Sequence, residues 1–191
     1  MLSRFTIVQK LSAGFGLIIL IICILIGLVR DAFSKIEDAT NWNIHTYMVL
    51  DISNRLVISL TNIETGMRGF ALSGEDDFLA PLTSGRSSFD QSLGELQRLT
   101  SDNPAQQQRL MEIKATQQKW YSEDIEGTLA LKRSVVAGKA TFDDLVLRIK
   151  GRQDKVKMDG MRKLIADLQG DEQKLLGVRT KTLEDAARSA I

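Results

Sequence analysis

Four charged residues offer the most direct route to chemistry: Glu64 and Arg68, four positions apart, and Asp159 and Arg162 farther along the chain. On a helix, a carboxylate followed four residues later by a guanidinium makes a pair in the favourable order, worth only about 0.2–0.5 kcal/mol by itself. The planar fork of Arg68 or Arg162 suits an acidic group on a small ligand. The bland alternative is that the four charges satisfy one another and fix helix register. Trp42 and His45 form a secondary pair of candidates. Trp42 fits core packing or an aromatic ligand box. His45 fits a hydrogen-bonded structural role or, because imidazole titrates near neutrality, a pH-sensing one.

Other chemistries are excluded by count or spacing. One histidine and one cysteine cannot build a conventional zinc site. No G-x-S-x-G turn and no glycine-rich phosphate loop occurs. The acidic run at 75–77 lacks the spaced ligands of a calcium loop and reads as a helix start. The expectation is therefore a protein without metal, cofactor or catalytic set. With 25 Lys and Arg against 24 Asp and Glu, the net charge of +1 gives nucleic acid no electrostatic foothold.

The elements that must position these residues begin with an anchor. Residues 11–29 carry no charge, and as a helix rising ~1.5 Å per residue they cover roughly 28 Å, the thickness of a bilayer's hydrocarbon layer. A cleaved signal peptide would have a shorter apolar run, ~7–15 residues, and a small-x-small cleavage site. This run instead ends in Leu28-Val29-Arg30-Asp31, which favours an uncleaved span. Arg4 and Lys10 precede it without acidic neighbours, whereas Arg30 and Lys35 are mixed with Asp31, Glu37 and Asp38. The positive-inside tendency then places the N-terminus in the cytoplasm. The expected partition is 1–10 cytoplasmic, 11–30 transmembrane and 31–191 periplasmic or extracellular.

Beyond the span, apolar residues recur at three- and four-residue steps and nowhere alternate, so the fold class is all-α. The first helix runs to about Leu72 along a stripe including Ile44, Met48, Ile52, Leu56, Leu60, Ile63, Met67 and Phe70, and Gly74 closes it. A second helix starts near Glu75 and carries Phe78, Leu82, Phe89, Leu93 and Leu96. Asp102-Asn103-Pro104 caps a third, which includes Trp120 and ends near Gly138. Thr141 with Asp144 forms a capping box for the last helix, expected to continue unbroken through Ile149, Val156, Met161, Leu168 and Leu183. Short connections imply an up-down-up-down four-helix bundle with long first and last helices. Matching levels along antiparallel helices puts Glu64 and Arg68 beside residues 153–162, and Trp42 and His45 beside 172–179. Near the membrane only the first and last helices would remain, and a bare pair buries its seam poorly, so a parallel homodimer is expected.

Several motifs carry a family resemblance: Asn41-Trp42, His45-Thr46, Glu64-Thr65-Gly66-Met67-Arg68-Gly69-Phe70, Phe78-Leu79-Ala80-Pro81, Asp102-Asn103-Pro104-Ala105-Gln106, Trp120, and Met158-Asp159 with Arg162. Together they resemble the third CHASE class of bacterial extracellular sensory domains. Phe5-Thr6-Ile7, Gln9-Lys10-Leu11 and Gly14-Phe15-Gly16 are similar to the start of methyl-accepting chemotaxis receptors and related sensor kinases. The resemblance implies a four-helix bundle between two spans of a bacterial inner membrane. Such a domain would answer to a small molecule or a periplasmic binding protein and displace a helix to inform a cytoplasmic module. It also implies a second span, yet the sequence stops at Ala190-Ile191. The expectation is a truncated receptor or a one-span protein. A chemoreceptor ectodomain is the leading reading. A histidine-kinase input domain and a structural or partner-binding tether are the alternatives.

Overall fold

The computed structural model describes residues 6–189; Arg4, Phe5, Ala190 and Ile191, used above, lie outside them. All regular structure among the described residues is helical. Contacts divide the chain into two units, Met1–Ile44 with Leu176–Ile191, and His45–Leu175.

Helix α1 spans Ile7–Ser73. Its N-terminal part is the one described segment long and apolar enough to cross a membrane. Residues 11–29 are exposed throughout, including Cys23, as a lipid-facing helix requires. Gly74, at φ 80°, ends α1, and its N–H donates to the Phe70 carbonyl at 2.8 Å. The acidic run then forms a single 3-10 turn, Asp76–Leu79, before α2 at Ala80–Leu99. α2 therefore starts later than the charge pattern implies, and Phe78 is 47% exposed.

Asn103 caps α3, Pro104–Lys119, by accepting the Gln106 N–H at 3.2 Å. Trp120–Ile125 winds more widely, as a π-helical turn, and α4 follows at Glu126–Val136. α5 covers Phe142–Lys150 behind the Thr141–Asp144 capping box, whose two reciprocal hydrogen bonds both form. α6 covers Gln153–Ser189.

The last helix is thus broken where the apolar pattern implied continuity. Gly151 has low helix propensity, and Arg152 sits at φ 55° in the left-handed region, which resets the helical phase. A stripe extrapolated across the break is out of step: Ile149 and Val156 are 48% and 66% exposed, whereas Leu145, Met158 and Met161 are buried. Two further expected core residues, Ile44 and Met48, also lie largely in solvent; Thr46 and Val49 are the buried positions there.

Inside His45–Leu175, one apolar core joins residues of α1, α2, α3, the π turn, α4 and α6. The pairings across it are specific. Gly66 faces Leu82, and Gly69 faces Phe78; Asn54 accepts from Gln169, and Glu64 lies near Arg162. Gln107 reaches back to the Gln97 carbonyl, and Gln106 reaches Leu168 and Glu172 on α6. Gly66 and Gly85 allow close approach of α1 and α2, because a Cβ on either would lie within 2.7 Å of the opposite backbone.

Candidate functional site

Glu64, Arg68, Asp159 and Arg162 do come together. Glu64 is nearly buried, and its Oε1 pairs with Arg68 Nη2 at 2.7 Å. Its Oε2 lies 3.6 Å from Arg162 Nη2, and Arg162 Nη1 lies 3.8 Å from Asp159 Oδ1. Lys155, four residues before Asp159, completes the chain by hydrogen-bonding that carboxylate. Sequence reasoning missed Lys155, although its spacing was the available signal. Both arginines already face the Glu64 carboxylate, so the geometry ties α1 to α6.

The energetic weight falls unequally. Arg68 is 60% exposed on its side chain and Glu64 only 11%. Arg68→Ala is expected to cost under about 1 kcal/mol, as exposed pairs do. Glu64→Gln removes the shared anion and is expected to cost on the order of 1–2 kcal/mol. Urea unfolding of both variants measures the difference; equal losses would contradict Glu64 as the centre of the layer.

Trp42 and His45 have partners outside this layer, and different ones. The His45 Nε2–H donates to the Leu99 carbonyl at 2.9 Å, satisfying one of the carbonyls left open at the end of α2. Trp42 is 46% exposed, which corrects the expectation of core packing. The Arg179 guanidinium stacks 4.6 Å from its ring centroid and donates to its carbonyl at 3.4 Å. Stacking keeps the indole ordered without burying it. Together with Lys35, Asp38 and Ala39, these two residues line an apolar cleft of about 420 Å³.

A further polar cluster surrounds the π turn. Widening the helix leaves carbonyls without their usual partners, and Arg148 of α5 supplies donors to the Glu123 and Asp124 carbonyls and, at 3.1 Å, to Thr128 Oγ1. Gly127 makes room for that guanidinium, since a Cβ there would lie 2.1 Å from Arg148 Nη2. From α6, Lys157 Nζ reaches both Glu123 Oε2 and Asp124 Oδ2 at 2.6 Å. Only a mid-helix glycine and an acidic residue on an apolar face hinted at this in the sequence.

The sequence profile of the CHASE3 domain matches residues 39–182. The chain belongs to the CHASE3 family. CHASE3 domains are extracellular sensory modules, and an apolar helix that precedes the matched region is what a membrane-attached member requires. No curated protein and no solved structure matches the chain. The CHASE3 region contains the whole ion-pair layer, the π turn and the Trp42–Arg179 stack.

The ion pairs of this CHASE3 domain give its stability a pH dependence of definite sign. Hydrogen bonds hold four carboxyls below their ordinary range: Lys155 on Asp159, Arg109 on Asp171, Lys157 on Glu123, and the Thr141 N–H on Asp144. Their contribution is complete above the unfolded-state values and is lost as pH falls through the depressed ones. Lys157 is opposite. Burial disfavours its charge, but hydrogen bonds to Asp124 and Glu123 outweigh that and raise its pKa. Its contribution is complete below the ordinary lysine value and fades as pH rises through the raised one. Stability is expected to decline below about pH 4 and again in strong alkali, shallowly because solvent screens these pairs. Lys157→Met should flatten the alkaline limb in urea titrations at stepped pH.

Proposed function

We propose that the chain is the non-enzymatic sensory ectodomain of a transmembrane chemoreceptor. The observation that carries this is the CHASE3 match over 39–182, which starts shortly after an exposed apolar helix of membrane-spanning length. In this reading residues 1–10 are cytoplasmic, 11–30 cross a bacterial inner membrane, and 31–191 occupy the periplasm. The supporting architecture is an up-down-up-down bundle of α1, α2, α3 through α4, and α5 with α6. Its support is that pairing numbers fall along one member as they rise along the other: Asn54 with Gln169 and Glu64 with Arg162, or Gln106 with Glu172 and Asp124 with Lys157. The chains associate as a parallel homodimer through α1 and α6.

A stimulus would act by shifting α6 along or against α1, since packed helices have discrete alternative positions rather than continuous ones. The motion would reach a cytoplasmic output module. The Glu64 layer is the register that such a shift must break and re-form.

The test places cysteines at Asn54 and Gln169 in a Cys23→Ser background and follows bismaleimide crosslinking in cells. A change in rate under at least one of a series of osmotic, pH and nutrient shifts is expected. A rate invariant across all of them would sink displacement signalling and favour a structural tether. A cysteine at Ser101 should react with membrane-impermeant maleimide in cells whose outer membrane is permeabilised; protection would reverse the proposed orientation.

A further inference from the structure

We propose that the cleft between α2 and the α3–π-turn segment binds a small zwitterion, with a free amino acid as its simplest form. This rests on the sensory reading and gives that reading a ligand class and a place. The cleft measures about 260 Å³ and is lined by Arg86, Asp90, Lys114, Gln117, Tyr121 and Glu126, among others. Sites for drug-sized ligands run from roughly 300 to 1,000 Å³, so this one takes a compact molecule.

Charges of both signs converge on it. Two cations and two anions face one cleft, yet among the described residues Asp90, Lys114 and Glu126 have no ion pair and no side-chain hydrogen bond. Other charges of the domain do pair within one helix turn or across helices, as at Glu64, Asp171 and Lys157. Arg86 stacks its guanidinium 4.1 Å from the Tyr121 centroid. That contact orients the fork but uses none of its N–H groups, which keep their geometry for a carboxylate. Asp90 and Glu126 are the matching acceptors for an ammonium.

Gln117 is the second, independent observation. It is 6% exposed, lines the cleft, and its side-chain amide has no hydrogen-bond partner among the described residues. Its amide opens onto the cleft, where a ligand carrying both donors and acceptors can pair with it. Lone phosphate would leave one pair of charges unanswered, and an apolar molecule would leave both.

The site is joined to α6. The π turn presents Tyr121 to the cleft, and a few residues on it presents Glu123 and Asp124 to Lys157. Wide turns of this kind recur at functional sites because a one-residue change of register re-aims the side chains on both sides. Ligand held at Tyr121 and Arg86 therefore biases the contact by which α6 is held.

The experiment is calorimetric titration of the full chain in nanodiscs with each proteinogenic L-amino acid, then with the N-acetyl and carboxamide forms of any binder. At least one L-amino acid should bind, and both blocked forms should bind at least tenfold more weakly. Arg86→Gln, and Asp90→Asn with Glu126→Gln, should each weaken binding at least tenfold while circular dichroism shows the same helicity. Gln117→Leu should weaken binding and leave thermal stability equal or higher, which a purely structural glutamine would not do. Absence of binding by every amino acid to the folded chain, or binding indifferent to these changes, overturns the proposal. If the Asn54–Gln169 crosslink responds to other stimuli while no amino acid binds, sensing stands and this site falls. If an amino acid binds through these residues and the crosslink never responds, the site stands and helix displacement falls.

Discussion

Trp120→Ala is expected to lower the stability of the His45–Leu175 unit by about 3–5 kcal/mol, the range for deleting a large buried aromatic. The indole is fully buried in the apolar core, and it heads the π turn that hydrogen bonds from α5 and ion pairs from α6 hold in place. Removing it leaves a cavity beside a backbone that has already given up regular α-helical hydrogen bonding. Trp120→Phe separates two parts of that cost. Nothing among the described residues accepts the Trp120 Nε1–H, and a buried unsatisfied donor costs about 1–3 kcal/mol. Phenylalanine abolishes that donor while keeping much of the aromatic volume. The phenylalanine variant should therefore lose well under half of what alanine loses in urea unfolding followed by circular dichroism. Equal losses would mean that indole shape outweighs its stranded polar group.

What the sequence made legible was mainly local. Asn103-Pro104, Gly74 and the Thr141–Asp144 box announce helix ends because capping uses residues within a turn of the boundary, and all three act as such. One long-range feature was also within reach: counting equal rises along two antiparallel helices brings Glu64 to the level of Arg162, where the structure has it. The same counting puts Trp42 near Arg179. It could not say that Trp42 would be half-exposed, because a stacked cation can hold an aromatic ring in place without burying it.

The features that escaped are those set by distant partners or by backbone phase. No residue within Trp120–Ile125 demands a π turn; Arg148 and Lys157 stabilise it from more than twenty positions away. The break at Gly151-Arg152 is equally silent, since apolar residues resume beyond it and periodicity alone reads straight through. That is why Ile149 and Val156 were assigned to a stripe they do not join. The cleft around Arg86 was invisible for a related reason. Uncommitted charges look the same in sequence as paired ones, and only the fold distinguishes Lys114, which has no ion-pair partner among the described residues, from Lys157, which has two.

Gly66→Ala and Gly85→Ala are each expected to cost about 1–3 kcal/mol by overpacking, and together markedly less than their sum. A Cβ at position 66 would lie 2.6 Å from the Leu82 backbone nitrogen, and one at position 85 would lie 2.7 Å from the Ser59 carbonyl oxygen. Backbone atoms inside a helix do not step aside as a flexible side chain does, so relief requires separating α1 from α2. Once one alanine has forced that separation, the second finds part of its space already made. Residues that share one interface in this way depart from additivity by about 0.5–3 kcal/mol. A double-mutant cycle in urea measures the coupling. Gly69→Ala is the comparison within the same helix: its Cβ would meet the ring and Cβ of Phe78 rather than backbone. Phe78 is half-exposed and can move, so that change should cost less than either of the others. Strict additivity of Gly66→Ala and Gly85→Ala would show that each clash is absorbed locally. Sub-additivity would identify the α1–α2 seam as one rigid contact. α1 would then carry a fixed partner against which α6 could move.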